Sequence, residues 1–568
     1  MPVAATEDQL ALQASIRDWA KRAAPLEAVR GLEPGGGQPS TGQPSTGQRG
    51  SRREPPGGSE RCWRELAGLG VFGIALPAAV GGDGGTVADL AAALEQLTLS
   101  LVPGPVLPTL LAGLVAAPLA AGPAGKALLP ALAAGEQPAA VALDPGPLAG
   151  TWQADGSLRV TGDAGLVLGA GDGIVLFAGA TVTGPAAGQA AANGAAADGA
   201  AAGGAVADGA AAGGGAGVDG AEVWFWIPPG FPGVTVTSRA PADFSRSLAG
   251  VRFDAAVISP GQLLPGVTRD RVRDLAATLF AVEAAAVAGW CTQTAASYAR
   301  TRSQFGRPIG AFQAVKHLCA GLLCRAEQAA AVAWDAARAA DDGPDELPLA
   351  AAAAAAIALD AAVDNAKDCI QVLGGIGFTW EHDAHLYLRR ALALRQLLSG
   401  SAGWRVRTAR LALAGARRRA ALATSTGATS TGATSTGAAS TGAASTGAAG
   451  TGAAGGAGTS GASTGPVAEA ARAVAAAVAA VPLPDRRDAL AAAGYVAPQW
   501  PPPYGLGAAP GDVLVIDEEL AQAGLSRPDL VIGGWAGLAV VRYGSAGQRD
   551  RFLGPTLRGE ITWCQLFS

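Results

Sequence analysis

The hydrophobic periodicity of this chain changes twice along its length, and that pattern limits the folds available to it. Apolar residues recur every three to four positions in residues 6–30 and 59–135, as in amphipathic helices. Residues 137–260 instead contain short β-rich runs such as Val223–Ile227, which are typical of strands. Long helical patterns return from residue 269 to about residue 415. The sequence therefore predicts a mainly α-helical protein in which a β domain separates two helical regions.

Three low-complexity tracts interrupt these patterns. A Gly/Pro/Ser stretch covers residues 34–58, and an Ala/Gly/Asp stretch covers residues 184–220. Repeated pentads such as ATSTG, followed by a Gly/Ser/Thr stretch, fill residues 420–465. Such segments bury too little apolar surface to offset the entropy of an ordered chain, so we predict that all three are disordered.

The tracts and the changes of periodicity together predict five segments. They are an N-terminal helical domain (1–135), a β domain (136–264), a helical bundle (265–415), a linker (416–465) and a further helical domain (466–568). The flexible inserts fall inside the first two domains.

Charge and hydropathy exclude two classes of partner. The formal net charge is −5 and the isoelectric point is about 5.4, whereas a protein that binds nucleic acid is expected to carry a basic face. No run of 18 strongly apolar residues free of Gly, Pro and charge occurs, so no membrane span is expected.

The cysteines and histidines indicate the compartment and argue against a metal site. Six cysteines occur without CxxC spacing, mostly in apolar helical contexts, and only three histidines are present. We therefore expect core thiols in a reducing cytoplasm and no metal site. The amino terminus is an amphipathic helix with charges of both signs, unlike a secretory signal, which also favours a cytoplasmic protein.

One stretch in the third segment combines groups suited to a dinucleotide. Tyr298, Arg302 and Phe305 fall at positions i, i+4 and i+7, so a helix would present all three on one face. A guanidinium beside an aromatic ring suits a diphosphate next to a purine. Gly306 and Pro308 are then expected to end the helix.

A glycine-rich turn, Gln371–Phe378, follows some sixty residues later. The two motifs together resemble the carboxy-terminal signature of the acyl-CoA dehydrogenases, flavoenzymes that desaturate acyl thioesters between the α and β carbons. The order of helical domain, β domain and four-helix bundle also resembles that family over about residues 6–415. Residues 371–390 look closest to actinobacterial members that act on steroid side chains and other bulky acyl-CoAs.

The resemblance implies FAD as cofactor, an acyl-CoA substrate, an electron-transfer flavoprotein or similar acceptor, and a homo- or hetero-oligomer. It assigns Arg302 to the FAD pyrophosphate and Phe305 to the adenine end of a neighbouring subunit's cofactor. The implied cofactor-binding residues of the two segments are Arg302, Phe305, Gln371, Gly374, Gly375, Gln565, Phe567 and Ser568. Each motif also has a purely structural interpretation. Phe305 and Gly306 could only end a helix, and Gly374–Gly377 could only form a tight turn between helices.

The fifth segment resembles the amino-terminal helical domain of the same family, which makes it a partial second copy. Its end, Gly559–Ser568, resembles the start of the strand that touches the flavin ring in relatives. In those relatives a glycine loop follows this strand, and the present sequence stops before it. We interpret the chain as a fused two-unit acyl-CoA dehydrogenase with a truncated second unit. The first β domain also lacks this glycine loop.

The catalytic base is not found where the resemblance places it. Relatives carry a Glu about nine residues after the Arg of an Arg-Asp pair, but here Arg389 precedes Arg390 and the base region reads Leu397–Gly400. A minority of relatives carry the Glu at the position of Ala276. Glu283 lies seven residues further along the predicted helix, about 10 Å away, which makes it a surrogate base or, more simply, a structural helix residue.

Three functions are compatible with these features. The first is FAD-dependent α,β-dehydrogenation of an acyl-CoA in fatty-acid or steroid side-chain β-oxidation, with the first unit supporting the cofactor but lacking the base. The second is a non-catalytic binding or scaffold protein of the same fold. The third is an acyl-CoA oxidase, in which oxygen reoxidises the flavin.

Overall fold

The computed structural model describes most of the chain in two compact units, residues 1–418 and 419–568. The described residues are 5–33, 58–143, 146–171, 173–183, 221–343, 345–418 and 465–564. The three tracts predicted to be disordered lie outside these residues, apart from their terminal positions Gly58 and Gly465.

The first unit begins with six helices that pack as a layer. Their bounds are α1 Glu7–Ala23, α2 Pro25–Gly31, α3 Gly58–Gly68, α4 Val87–Leu99, α5 Val106–Ala116 and α6 Pro123–Ala133. Thr6 and Thr86 cap α1 and α4 with reciprocal side-chain to backbone hydrogen bonds, which satisfy amide groups that a helix start leaves unpaired. Every residue of α5 is buried, because its sequence is apolar on all sides.

The second layer is a curled seven-stranded sheet. Its strands are β1 Ala139–Val141, β2 Ala149–Trp152, β3 Leu158–Leu168, β4 Val175–Thr183, β5 Ala221–Ile227, β6 Val234–Arg239 and β7 Leu248–Ile258. The order is β1-β4-β2-β3-β7-β6, and β5 pairs with β4. Strands β1 and β2 run parallel to β4, and the other pairs are antiparallel.

Three long helices and two shorter ones complete the first unit. They are α7 Arg269–Thr301, α8 Gln313–Asp342, α9 Leu347–Leu373, α10 Ala384–Leu397 and α11 Ala402–Leu413. Helix α9 carries a run of alanines whose small side chains favour the helix and let α7 and α8 pack closely against it. The fold class predicted from the sequence, mainly helical with a β domain between helical regions, is confirmed.

Two bundle helices are long and apolar enough to cross a membrane by length and composition alone. They are Arg269–Thr301, which is α7, and Leu347–Phe378, which is α9 with the short turn after it. In their most apolar 18-residue stretches, 78% and 67% of the residues are buried inside the protein. Their apolar surface is thus used mainly by the bundle core.

Asn365 joins the three long helices at one point. Its amide nitrogen donates to the carbonyl oxygens of Ala288 on α7 (3.1 Å) and Leu322 on α8 (2.9 Å), while Asn365 itself lies on α9. Its amide oxygen accepts from Arg325 Nε at 2.7 Å. The side chain is fully buried and links the three helices by direct hydrogen bonds.

We therefore expect Asn365→Leu to lower the free energy of unfolding by about 3 kcal/mol, because it removes the hydrogen bonds of Asn365 to α7 and α8, each of which contributes about 1 kcal/mol. Chemical denaturation of the whole chain would measure the change. The neighbouring Asp364 is exposed, so Asp364→Leu is the matched control and should shift the free energy by no more than about 0.5 kcal/mol. Equal effects of the two substitutions would contradict this role of Asn365.

The second unit is a separate helical body with its own core. Its helices are α12 Pro466–Ala479, α13 Arg486–Ala492, α14 Pro510–Gln522, α15 Ile532–Tyr543 and α16 Ala546–Arg558. Buried Trp500, Leu520 and Leu553 lie in that core. Glu519 is buried on α14 and pairs with Arg472 of α12 at 2.7 Å.

Candidate functional site

A buried cluster of four charged side chains joins the β domain to the bundle. Asp243 and Arg246 lie in the loop between β6 and β7, Glu283 lies on α7, and Arg390 lies on α10. Arg246 and Arg390 both approach Glu283 Oε1, the second at 3.6 Å, and Arg390 also pairs with Asp243. Two carboxylates and two guanidiniums thus neutralise one another, and a fifth oxygen, Ser245 Oγ, accepts from Arg390 Nη2 at 2.6 Å.

The electrostatics of the cluster favour the ionised forms. Burial alone would raise the pKa of Asp243, but the charges of Arg390 and Arg246 lower it below its ordinary value. Burial alone would lower the pKa of Arg390, and the carboxylates of Asp243 and Glu283 raise it instead. Because the pKa of Asp243 is lower in the folded protein than in the unfolded chain, ionised Asp243 stabilises the fold above its unfolded pKa. This stabilisation is lost as the pH falls through the folded pKa, so the junction weakens in acid.

Glu283, the candidate base, is held inside this cluster. Its side chain is only 1% exposed, and one of its oxygens faces both arginines. The other oxygen, Oε2, has no hydrogen-bond partner among the described residues. A carboxylate neutralised by two buried guanidiniums is poorly placed to take a proton from a substrate, which favours the structural interpretation of Glu283.

The alternative base position is filled by packed side chains. Ala276, Ala277 and Phe280 on α7 have no accessible surface. A void as large as a water molecule beside them would give them accessible surface, so no substrate atom has room at this position. The other base region, Leu397–Gly400, ends α10 with Ser399 and Gly400 at positive φ and supplies no carboxylate.

The predicted helical face of Tyr298, Arg302 and Phe305 is wrong in one respect. Helix α7 ends at Thr301, and Arg302 is its C-terminal cap. The chain then forms a two-stranded hairpin, β8 Ser303–Gln304 with β9 Arg307–Pro308. Phe305 and Gly306 form its turn with φ of 51° and 77°, as a tight hairpin of this kind requires.

The hairpin nevertheless leaves both predicted groups available to another molecule. Phe305 is 91% exposed at the tip of the turn, and Arg302 is exposed at the helix end. Within the described residues, no carboxylate lies in ion-pair distance of Arg302. Arg307 instead covers the ring of Phe312, with its guanidinium carbon 4.2 Å from the ring centroid.

The glycine turn after α9 contains glycines with different requirements. Gly374 has φ of 63°, and its N–H closes the helix by donating to the carbonyl oxygens of Gln371 and Ile370. A Cβ at Gly377 would lie 2.7 Å from Leu373 Cβ, so packing requires glycine there. Gly375 has open space around its would-be Cβ and an ordinary φ, and the turn itself gives no reason for a glycine at this position.

These predicted residues form two exposed groups. Arg302 and Phe305 share the end of α7 and its hairpin, while Gln371, Gly374 and Gly375 share the end of α9. All five are exposed. The remaining predicted residues, Gln565, Phe567 and Ser568, lie outside the described part of the chain.

Sequence reasoning missed the partners that define the site's core. Asp243 and Arg246 lie three positions apart in the loop between two predicted strands, and this pair of opposite charges was the available signal. Arg390 was noted only as a departure from the Arg-Asp pair of relatives, yet burial makes it the centre of the cluster. Its neighbour Arg389 stays near the surface and stacks on Phe244, with its guanidinium carbon 4.3 Å from the ring centroid.

The cysteines and histidines do not form a metal centre in the described residues, where no group of three or more potential ligands converges. The six cysteines are free thiols. Two histidines lie at the entry to α10, where His385 Nε2 is 3.1 Å from Glu33 Oε1. Arg30 of α2 donates to Asp383 there at 2.7 Å, so this charged segment contacts the N-terminal helices.

Comparison with known proteins agrees with this architecture. The family model described as acyl-CoA dehydrogenase, C-terminal domain, matches residues 274–408, and the model described as acyl-CoA dehydrogenase, N-terminal domain, matches residues 48–136 and again 462–560. IpdE2 of Mycobacterium tuberculosis, an acyl-CoA dehydrogenase, is 32% identical over 60% of this chain and 83% of its own length.

The chain belongs to the acyl-CoA dehydrogenase family.

A second relative matches the whole chain. Acyl-CoA dehydrogenase FadE34 of Mycobacterium tuberculosis is 40% identical over 100% of this chain, which spans 66% of the length of FadE34. Among solved structures, the ChsE4-ChsE5 complex of the same organism has a TM-score of 0.58 at 22% identity, covering 73% of this chain and 99% of that chain. Butyryl-CoA dehydrogenase of Megasphaera elsdenii has a TM-score of 0.57 at 18% identity and covers 73% and 100%. At these identities the structures show the fold.

The family assignment and the buried cluster make a clear prediction for Glu283. Glu283→Gln removes one of two negative charges from a buried, neutral cluster, so we expect the free energy of unfolding to fall by about 3 kcal/mol. Urea denaturation of the whole chain would measure it. The control is Glu327→Gln, at an exposed position of α8. It should change the free energy of unfolding by no more than about 0.5 kcal/mol. An unchanged free energy of unfolding in Glu283→Gln, relative to the unsubstituted chain, would show that the cluster does not need this charge.

Proposed function

We propose that this chain takes part in FAD-dependent α,β-dehydrogenation of an acyl-CoA thioester, and that its first unit supports the cofactor without supplying the base. The observation that carries the proposal is the contrast between two places in unit 1. The face with Arg302 and Phe305 is open to another molecule, whereas both positions for a base, Ala276 and Leu397–Gly400, lack a carboxylate.

The exposed groups fit one side of a bound FAD. Arg302 offers a guanidinium without a described ion-pair partner, which suits a diphosphate. Phe305 offers an exposed ring for the adenine end, and the open backbone at Gly375 permits close approach. When bound, FAD accepts the hydride that leaves the β carbon of the thioester. Because these groups face outward, we propose that they serve a cofactor held mainly by another subunit or unit.

Removal of the α proton needs a carboxylate that unit 1 does not offer at either family position. Glu283 is neutralised by Arg246 and Arg390, so protonation of this carboxylate by a substrate would leave two buried cations with too little negative charge. We therefore place the base outside unit 1.

The substrate class and the partners belong to the same proposal. We propose a bulky acyl-CoA such as a steroid side-chain thioester, an electron-transfer flavoprotein or similar acceptor, an oligomeric assembly and a cytoplasmic location. The mycobacterial relatives FadE34 and IpdE2 are both named acyl-CoA dehydrogenases and support that activity class. One structural neighbour is named a steroid ACAD and another is named as a complex of two proteins, but at 24% and 22% identity they support the fold alone.

A non-catalytic role is the second candidate, and the packed position of Ala276 favours it as well. In that case the chain would bind CoA thioesters or a partner without turnover. An oxidase is the third, since the fold also occurs in a prolyl acyl carrier protein oxidase. Anaerobic reduction of bound flavin by an acyl-CoA separates the second candidate from the others, and reoxidation by air separates the third from the first.

The isolated 568-residue chain should bind FAD weakly and show little dehydrogenase activity, because unit 1 offers one face for the cofactor and no base. Flavin absorbance after gel filtration, followed by anaerobic addition of a steroid side-chain acyl-CoA, would test this. A stoichiometric flavin that is bleached by the thioester would contradict the proposed division of roles.

Arg302→Ala should weaken FAD binding about tenfold or more, since a bidentate guanidinium–pyrophosphate contact contributes roughly 1.5–3 kcal/mol. Fluorescence titration of FAD into the whole chain would measure the affinity. Arg300→Ala removes the same charge one position before the end of the same helix and is the control. Equal affinities of the two variants would assign Arg302 to an ordinary surface role.

Gly375→Val should also weaken FAD binding, but without lowering the thermal unfolding midpoint, because a Cβ at this position has no protein atom within 4 Å. Gly377→Ala is the contrasting variant: its Cβ would clash with Leu373, so it should lower the midpoint. If Gly375→Val leaves the FAD titration unchanged, nothing approaches this turn from outside.

A further inference from the structure

A cavity of about 410 Å³ opens on the N-terminal helical layer of unit 1, between α1 and α3. Trp19 and Arg22 of α1 line one side, and Arg61, Glu65 and Leu69, in or directly after α3, line the other. The volume lies within the usual range of small-molecule sites, roughly 300–1,000 Å³. No residue of this α1–α3 cavity belongs to the buried charged cluster or to the groups assigned to FAD, so it is a separate feature of the fold.

Glu65 of the α1–α3 cavity has a partner for each of its oxygens. Oε2 accepts from Trp19 Nε1 at 2.8 Å, and Oε1 lies 3.9 Å from Arg61 Nε. Arg61 also donates from Nη2 to the carbonyl oxygen of Ala23, the last residue of α1, at 2.9 Å. These contacts join α1 to α3 and fix Arg61 and Glu65 in the cavity wall.

Arg22 differs from Arg61 in its electrostatic surroundings. Its side chain is exposed in the same cavity, and no carboxylate of the described part of the chain lies within ion-pair distance of it. The wall thus carries two guanidiniums and one carboxylate, which leaves one positive charge in excess. A monoanion balances this charge, whereas a group with two negative charges would be repelled by Glu65.

The apolar part of the wall suits an alkyl chain better than a flat ring. Leu69 is 43% exposed, and the space beside Gly68 is open, since a Cβ there would have no neighbouring atom within 4 Å. Trp19 is only 4% exposed, so little of its ring is available for a purine or another aromatic ring to stack on. An alkyl chain that lies along Leu69 and Gly68 removes apolar surface from water.

We infer that the α1–α3 cavity binds an aliphatic monocarboxylate, with its carboxylate on Arg22 and its alkyl chain along Leu69. The planar guanidinium of Arg22 can donate two parallel hydrogen bonds to a carboxylate. This ligand differs from the acyl-CoA of the proposed reaction, because a free carboxylate replaces the thioester and no phosphate is required. The inference therefore does not rest on the proposed function.

Isothermal titration calorimetry of the whole chain with octanoate tests the inference. We expect saturable binding at one site, with an affinity that rises about two- to fourfold per methylene from butanoate to octanoate. Octylamine, which has the same chain and the opposite charge, should not bind. Arg22→Ala should weaken octanoate binding at least tenfold, and Arg22→Lys, which keeps the charge but loses the planar fork, should weaken it less.

Arg64→Ala is the matched control, because Arg64 is an exposed arginine of α3 that does not line the cavity. It should leave the octanoate affinity unchanged, and all the arginine variants should keep the unfolding midpoint of the whole chain, since these side chains are exposed. Equal octanoate affinities of Arg22→Ala and Arg64→Ala would overturn the inference. Absence of octanoate binding, or equal binding of octylamine, would overturn it as well.

A labelling experiment locates the ligand without the arginine variants. In a Gly68→Cys variant, saturating octanoate should slow thiol labelling of position 68 at least fivefold, followed by peptide mass spectrometry. Exposed Cys324 on α8 should label at an unchanged rate and is the internal reference. Position 68 is exposed and has room for a Cβ, so the substitution itself should not disturb α3.

Equal labelling of position 68 with and without octanoate would show that the ligand lies elsewhere and would contradict the inference. None of these readouts depends on FAD, acyl-CoA or turnover. Failure of this site and failure of the proposed function are therefore distinguishable.

Discussion

The junction of Asp243, Arg246, Glu283 and Arg390 is the interaction on which the rest of unit 1 depends. It pairs two charges from a loop of the β domain with two from the bundle, at a depth where an unpaired charge would be costly. Because each charge requires the others, the loop, α7 and α10 are held in one arrangement. Arg390 stands where the family resemblance leads one to expect the Asp of an Arg-Asp pair.

The same junction determines what unit 1 can do chemically. It uses the carboxylate of Glu283 to balance two guanidiniums, and the α7 surface near Ala276 is closed by packing. The groups that remain available are Arg302, at the exposed end of α7, and Phe305, in the exposed turn of the hairpin that follows. A unit with a closed interior and an open, cation-bearing hairpin is suited to assist a cofactor held elsewhere, and this is the physical basis of the proposed division between cofactor support and catalysis.

The internal repeat shows how one helical domain depends on its surroundings. The helices α4 and α14 make equivalent contacts inside their own copies, and in unit 1 the long helices α7 and α8 also pack on α4. Every residue of α5 is buried in unit 1, whereas Trp535 and Leu538 of α15 are exposed.

Much of the architecture follows from the sequence alone. Periodicity separates the helical and β regions, because the side-chain repeat of a helix or strand is a local property. The glycine turn was also recognisable, since Gly374 needs a positive φ and Gly377 a missing Cβ. The position of Phe305 was not, because a spacing of i+7 describes a continuous helix and contains no information about the hairpin that begins after Thr301. The role of Glu283 was decided only by tertiary structure: a carboxylate on a helix is compatible with catalysis or with an ion pair, and the choice depends on Arg246 and Arg390, which only folding brings to the same buried point.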